Sequence, residues 1–209
     1  MTKADLLARL PVEGEDLLLR ACTRQDIERL AAWPAYPFPY ESFTLSFRNA
    51  ERAVLDEAYR RIGLAEDRLT LVADMPDEPC VAYLALLSID GDMHRVGNMA
   101  IRVHPESCGQ GIGTRILKVV CGWAFANGVR SLRLDVAASN GRAVRCYEKS
   151  GFRVVGETWR EAPDLSVADL DRPRYAFVRD ASCTDRGRVL LRFAVLEASR
   201  DADSGVDRE

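Results

Sequence analysis

Lysine is nearly absent from this sequence. Lys3, Lys118 and Lys149 are the only ones, so 26 of the 29 basic side chains are arginine, a bias that GC-rich coding explains without an arginine-specific function. Histidine is as scarce, with only His94 and His104, and the six cysteines at 22, 80, 108, 121, 146 and 183 include no C-x-x-C pair. Metal-ligand spacing is therefore missing, no metal is expected, and the thiols read as reduced in a cytoplasmic protein. No apolar run approaches the roughly 18 residues of a membrane span, and the polar, charged first twenty residues lack the apolar stretch of a secretory signal. Positive charge is not in excess either: the net charge of -3 resides in residues 197–209, and residues 1–196 balance to zero. The counterion-displacing footprint of a nucleic-acid binder is absent, so neither nucleic acid nor a membrane is an expected partner.

What is present is an ordinary globular composition, 47% hydrophobic and 29% charged over 209 residues, enough to bury a core in one domain. Residues 1–14 read as an N-terminal extension in which Leu6, Leu7 and Leu10 mark a short amphipathic helix, 15–197 as the domain, and 198–209 as an acidic disordered tail. Strand 17–22 leads through the N-cap Thr23 into a short helix. Pro34, Pro37 and Pro39 then stop helix formation in the aromatic stretch Trp33, Tyr36, Phe38, Tyr40, Phe43. A helix is expected within 48–64, and strands over 68–75, 80–90 and 94–103 are joined by spacers short enough for antiparallel hairpins. Ile112, Ile116, Val120 and Trp123 form one helical stripe over 112–127, followed by a strand at 131–139 and a helix at 141–149 capped by Ser139 or Asn140. Further strands fall at 152–159 and 188–197, with another over 175–182. This order predicts an α/β (α+β) domain with a mixed, mostly antiparallel central sheet flanked by helices.

The strongest local signal is VHPESCGQGIGTRIL at 103–117, a strand that ends in a glycine-rich loop opening a helix. Gly109, Gly111 and Gly113 permit close backbone approach, and the first helical amides present the positive end of the dipole, an arrangement suited to an anion. A P-loop would need Lys after the last glycine, and a dinucleotide fingerprint would need G-x-G-x-x-G in an early β-α-β unit. Neither spacing occurs.

The loop, followed by L-D-V-x-x-x-N-x-x-A-x-x-x-Y-E-K-x-G-F across residues 134–152, resembles the GCN5-related N-acetyltransferase superfamily (GNAT). The resemblance implies that acetyl-CoA is the acyl donor and an amine the acceptor, with a non-catalytic acyl-CoA-binding or regulatory module as the alternative. It implies that Ile101, Arg102 and Val103 lend main-chain bonds to the pantetheine arm, that Gly109, Gln110, Gly111, Ile112, Gly113 and Thr114 hold the diphosphate, and that Asn140 contacts the arm besides capping a helix. Cys108 stands where the family usually has Arg or Gln. Dimerisation is common in the family, so a homodimer is one option for this chain.

Acyl transfer to an amine needs a neutral amine, a polarised carbonyl and a proton for the departing thiolate. Tyr147, on the same helical face as Ala143 and Val144, matches the family's proton donor. Asp135, opposite in facing to Leu132 and Leu134, is the leading candidate for a base acting through water, ahead of Glu41 and Glu161. Arg115, Lys118, Arg142 and Arg145 are candidates for the cofactor's 3′-phosphate. The aromatic stretch and the insertion at 160–174 are placed to shape the acceptor pocket.

Overall fold

The computed structural model describes residues 2–14 and 16–200. Its elements are α1 (Lys3–Leu7), β1 (Val12–Glu13), β2 (Leu18–Ala21), α2 (Arg24–Ala31), α3 (Arg52–Leu64), β3 (Arg68–Met75), β4 (Glu78–Asp90), β5 (Arg95–Val103), α4 (Ile112–Ala126), β6 (Ser131–Ala137), α5 (Gly141–Glu148), β7 (Arg153–Glu161), α6 (Ala176–Arg179), β8 (Ser182–Asp185) and β9 (Arg188–Ser199). The strands form one mixed sheet in the order β1-β2-β3-β4-β5-β6-β9-β7, with β8 also on β9. Among the described strands only β5 and β6 run parallel, as the α4 crossover requires.

Helices cover both faces. Ile112, Ile116, Val120 and Trp123, the stripe expected from helical spacing, all pack inward with Leu6, Leu84 and Leu132 on the α4 face. Ile27, Leu30 and Leu55 from α2 and α3 cover the other face at Val72, Tyr83 and Ala85. Strand β9 extends to Ser199 with Ala198 buried, and the remaining tail, 201–209, lies outside the described residues.

One expected strand is not formed. Residues 176–179 are the helical turn α6, and strand structure resumes only at Ser182. The reason is a shortage of free sheet edge. Strand β8 pairs β9 up to Leu191, and from Phe193 onward β6 occupies that same edge. The apolar run therefore folds as a helical turn with Val178 buried.

A buried carboxylate ties strand β2 to helix α2. Asp26, fully buried, accepts from both terminal nitrogens of Arg20 at 2.6 and 2.9 Å and from the Thr23 hydroxyl at 2.6 Å. Arg20 in turn reaches Asp74 on β3 at 2.6 Å. Burial alone would raise the Asp26 carboxyl, but the bonds from Arg20 and Thr23 hold it far below the usual carboxylate range. Asp26→Asn should lower unfolding free energy by about 2 kcal/mol at pH 7, measured by chemical denaturation. Because the folded value is depressed, that gap is complete above the unfolded value near pH 3.9 and shrinks as pH falls further.

Candidate active site

Strands β5 and β6 pair only at Arg95↔Ser131 and Val96↔Leu132, then diverge. Beyond those residues each strand keeps its outer partner, β4 and β9 respectively, so the divergence opens a gap without breaking the sheet. The His104 amide donates to the Val81 carbonyl at 2.8 Å. Main-chain groups alternate sides along a strand, so those of Arg102 also turn toward β4, whereas those of Ile101 and Val103 face the gap. The resulting cleft has a volume of about 470 Å³, and of the residues expected to bind the donor or to act as proton donor or leading base, all but Gln110 and Ile112 line it; Glu41, Glu161, Arg115 and Lys118 do not.

The glycine loop closes one end. Gly109 and Gly111 have φ of 86° and 79°, in the left-handed region that side chains disfavour. Helix α4 begins at once, with Ile112 anchoring it in the core. Among the described residues the amides of Ile112, Gly113 and Thr114 find no acceptor, as expected for a first helical turn. At Gly113 a Cβ would lie 3.2 Å from the Cys146 sulfur, so this glycine lets α4 approach α5 closely. The Gln110 side chain turns back to the Glu106 carbonyl at 3.2 Å. Cys108 is half-buried with its thiol 3.7 Å from the Val103 carbonyl, and burial raises its pKa, which keeps it a thiol.

Helix α5 lies across the gap. The Asn140 side-chain oxygen accepts from the Ala143 amide at 3.1 Å, so of the two candidate caps Asn140 is the one used. Tyr147 is buried at 7% exposure, edge-on to Phe152 at 5.8 Å between centroids. Its hydroxyl makes no hydrogen bond to another described residue, and burial pushes its pKa above the ordinary phenol value. A protonated donor is thus held at the cleft across the neutral range.

Tyr36 is the contribution of the aromatic stretch: buried, it donates its hydroxyl to the Val103 carbonyl at 2.5 Å. Phe38 packs edge-on against Phe177 at 5.7 Å, joining this stretch to the segment after β7. Arg142 stacks 4.2 Å over the Tyr40 ring. The side chain of Phe43 lies outside the described residues. Of the candidate phosphate-binding cations, Arg142 and Arg145 line the cleft and are joined there by Lys149. Arg115 pairs instead with Asp16, and Lys118 is exposed on α4.

Asp135 lines the cleft on the sheet face opposite Leu132 and Leu134, as alternation required, but it is engaged by Arg160 at 2.8 Å. Glu41 and Glu161 are likewise paired, with Arg174 at 3.8 Å and Arg188 at 3.2 Å. Arg160 entered the sequence expectations only as the first residue of the 160–174 insertion, and Phe193 only within the strand at 188–197. The usable signal was alternation along β9 and β7, where Phe193, Val195 and Arg160 share the face of Asp135, but it becomes informative only once the strand order is known.

A model of the acetyltransferase (GNAT) family matches residues 28–152. Aminoglycoside N(6′)-acetyltransferase type 1 of Klebsiella pneumoniae is 27% identical over 180 residues, 81% of this chain and 89% of that protein. Spermidine N(1)-acetyltransferase of Escherichia coli strain K12 is 26% identical over 162 residues, 77% of this chain and 80% of the other. The solved structure of AAC(6′)-Ib in complex with paromomycin and acetyl-CoA shares the fold at a TM-score of 0.60 and 18% identity, covering 93% of this chain and 99% of that one.

Proposed function

The chain belongs to the GNAT acetyltransferase family, and from that premise we propose that it transfers an acetyl group from acetyl-CoA directly to a primary amine of a small molecule or a protein N-terminus. The observation that carries the reading is the β5–β6 gap. Unsatisfied helix amides stand at one end of it, and a buried phenol without a hydrogen-bond partner stands in its wall. The relatives named for aminoglycoside and spermidine acetylation support amine transfer.

The residues present fit acetyl-CoA. The amides of the 109–114 loop would take its diphosphate, the gap-facing main chain of Ile101 and the Val103 amide its pantetheine arm, and Arg142, Arg145 and Lys149 would add positive charge where the ligand is most anionic. When bound, acetyl-CoA supplies an activated thioester carbonyl. Tyr147 holds a proton at its hydroxyl for the departing sulfur, and its buried setting keeps that proton in place until it is needed. Walls of Met99, Ala100, Val136 and Ala137 restrict water around the reacting atoms.

Calorimetric titration with acetyl-CoA, followed by a free-thiol assay across an amine panel, tests this. Saturable binding with amine-dependent release of CoA is expected. Binding without transfer to any acceptor would instead identify an acyl-CoA-binding or regulatory module, and tighter binding of ATP than of CoA would overturn both.

A further inference from the structure

The cleft is lined by one carboxylate, Asp135, and by four cationic side chains, Arg102, Arg142, Arg145 and Lys149. Three of the cations sit on or just after α5, beside the glycine loop, where they suit an anionic donor. The acceptor end must be judged by what is left, and there the carboxylate is neutralised. The Asp135 side chain, 16% exposed, is bound by Arg160 at 2.8 Å, and the Arg160 guanidinium lies 4.7 Å from the centre of the Phe193 ring in the cleft wall. Ring and carboxylate together fix the guanidinium more firmly than a free surface ion pair would. The two other carboxylates considered as bases, Glu41 and Glu161, have arginine partners of their own.

A carboxylate at an acceptor site can take the proton of an ammonium group or attract the remaining charges of a polycation. Both uses need lone pairs and negative potential that an arginine partner removes. With no unpaired carboxylate among the described residues lining the cleft, the acceptor must arrive neutral. At pH 7 an ε-type amine with a pKa of about 10.4 is neutral in only about 0.04% of molecules, whereas an α-amine at 7.7 to 8.0 is neutral in about 10–17%. That difference is several hundred-fold in reactive species, larger than any single contact in this cleft could recover.

Resting on the acetyl-transfer reading above, we infer that the acceptor is an amine already substantially neutral at pH 7 and carrying no second positive charge, the α-amine of a peptide being the type, and that Arg160 is the residue that enforces this choice. Arg160 is half-exposed and is not itself among the residues lining the cleft, so replacing it changes the charge of the acceptor end while leaving the glycine loop and the Tyr147 side chain in place. The released Asp135 carboxylate acts on Tyr147 in the direction that keeps the phenol protonated.

The test compares CoA release at pH 7 with a neutral dipeptide amide, spermidine and kanamycin. For the native enzyme, kcat/KM for the dipeptide amide should exceed that for either polycation at least tenfold. Arg160→Gln releases Asp135 and should raise kcat/KM for the polycations about tenfold, narrowing the preference, while Arg160→Lys retains the charge and the preference. Thermal unfolding of both variants checks that the fold persists. A native preference for spermidine or kanamycin overturns the inference, as does an unchanged preference in Arg160→Gln. Saturable acetyl-CoA binding with no release to any of the three overturns this inference, whereas the acetyl-transfer reading falls only if the full amine panel gives no release either.

Discussion

Tyr147→Phe is expected to lower the single-turnover rate of acetyl transfer by about 10²-fold or more, while the Kd for acetyl-CoA stays within about threefold of the native value. The substitution removes one oxygen from a side chain whose packing rests on its ring, edge-on to Phe152 and against α4 and the sheet. Because the hydroxyl has no partner among the described residues, its loss orphans no buried group, so the fold and the donor cleft should be left intact. What disappears is the proton source, and positioned acids of this kind contribute about 10²- to 10⁴-fold. A single-turnover rate within threefold of native would remove Tyr147 from the acid role. The pH profile offers a second readout. Burial raises the Tyr147 pKa, so the protonated form persists to higher pH than an ordinary phenol, and kcat should show no loss from its ionisation below about pH 10.

The local parts of this arrangement were written in the sequence, and the long-range parts were not. Helix α4 was legible because Ile112, Ile116, Val120 and Trp123 repeat with helical period, and the loop before it because three glycines interrupt a strand-to-helix junction. Thr23 announced its cap by residue type, and the α5 cap was narrowed to Ser139 or Asn140, of which the fold uses Asn140. By contrast, nothing local indicates that β9 inserts between β6 and β7, since strand order is decided by pairings tens of residues apart. The Asp135–Arg160 pair follows from that insertion, as does the helical turn at 176–179, which forms because β6 has taken the edge that a strand there would need. The Tyr36 bond to Val103 was hidden for a similar reason: the proline-rich stretch excluded helix but did not say which part of the sheet its aromatics would reach.

Gly111→Val should weaken acetyl-CoA binding by about 10²-fold while leaving kcat at saturating acetyl-CoA within a few-fold of native. Gly111 is the N-cap of α4, with φ 79° and ψ -4°. A Cβ built there meets nothing within 4 Å, so the penalty is conformational and not a collision. A β-branched residue held in the left-handed region costs about 1–3 kcal/mol, and the loop can relieve that only by rotating the peptides that aim the Gly111 to Thr114 amides. Ile112 and Ile116 keep the helix itself seated, so the damage stays in the loop, and 2.8 kcal/mol lost from binding corresponds to about 10²-fold in Kd. Tyr147 sits on a different helix and keeps its surroundings, which is why saturating donor should restore turnover. Gly111→Asn supplies the control, because asparagine tolerates this conformation better than other side chains, and its Kd should rise by no more than about fivefold. Equal loss of affinity in both variants would mean that bulk at position 111, not the direction of the amides, governs donor binding. Unchanged affinity in Gly111→Val would show that the loop does not hold the diphosphate at all.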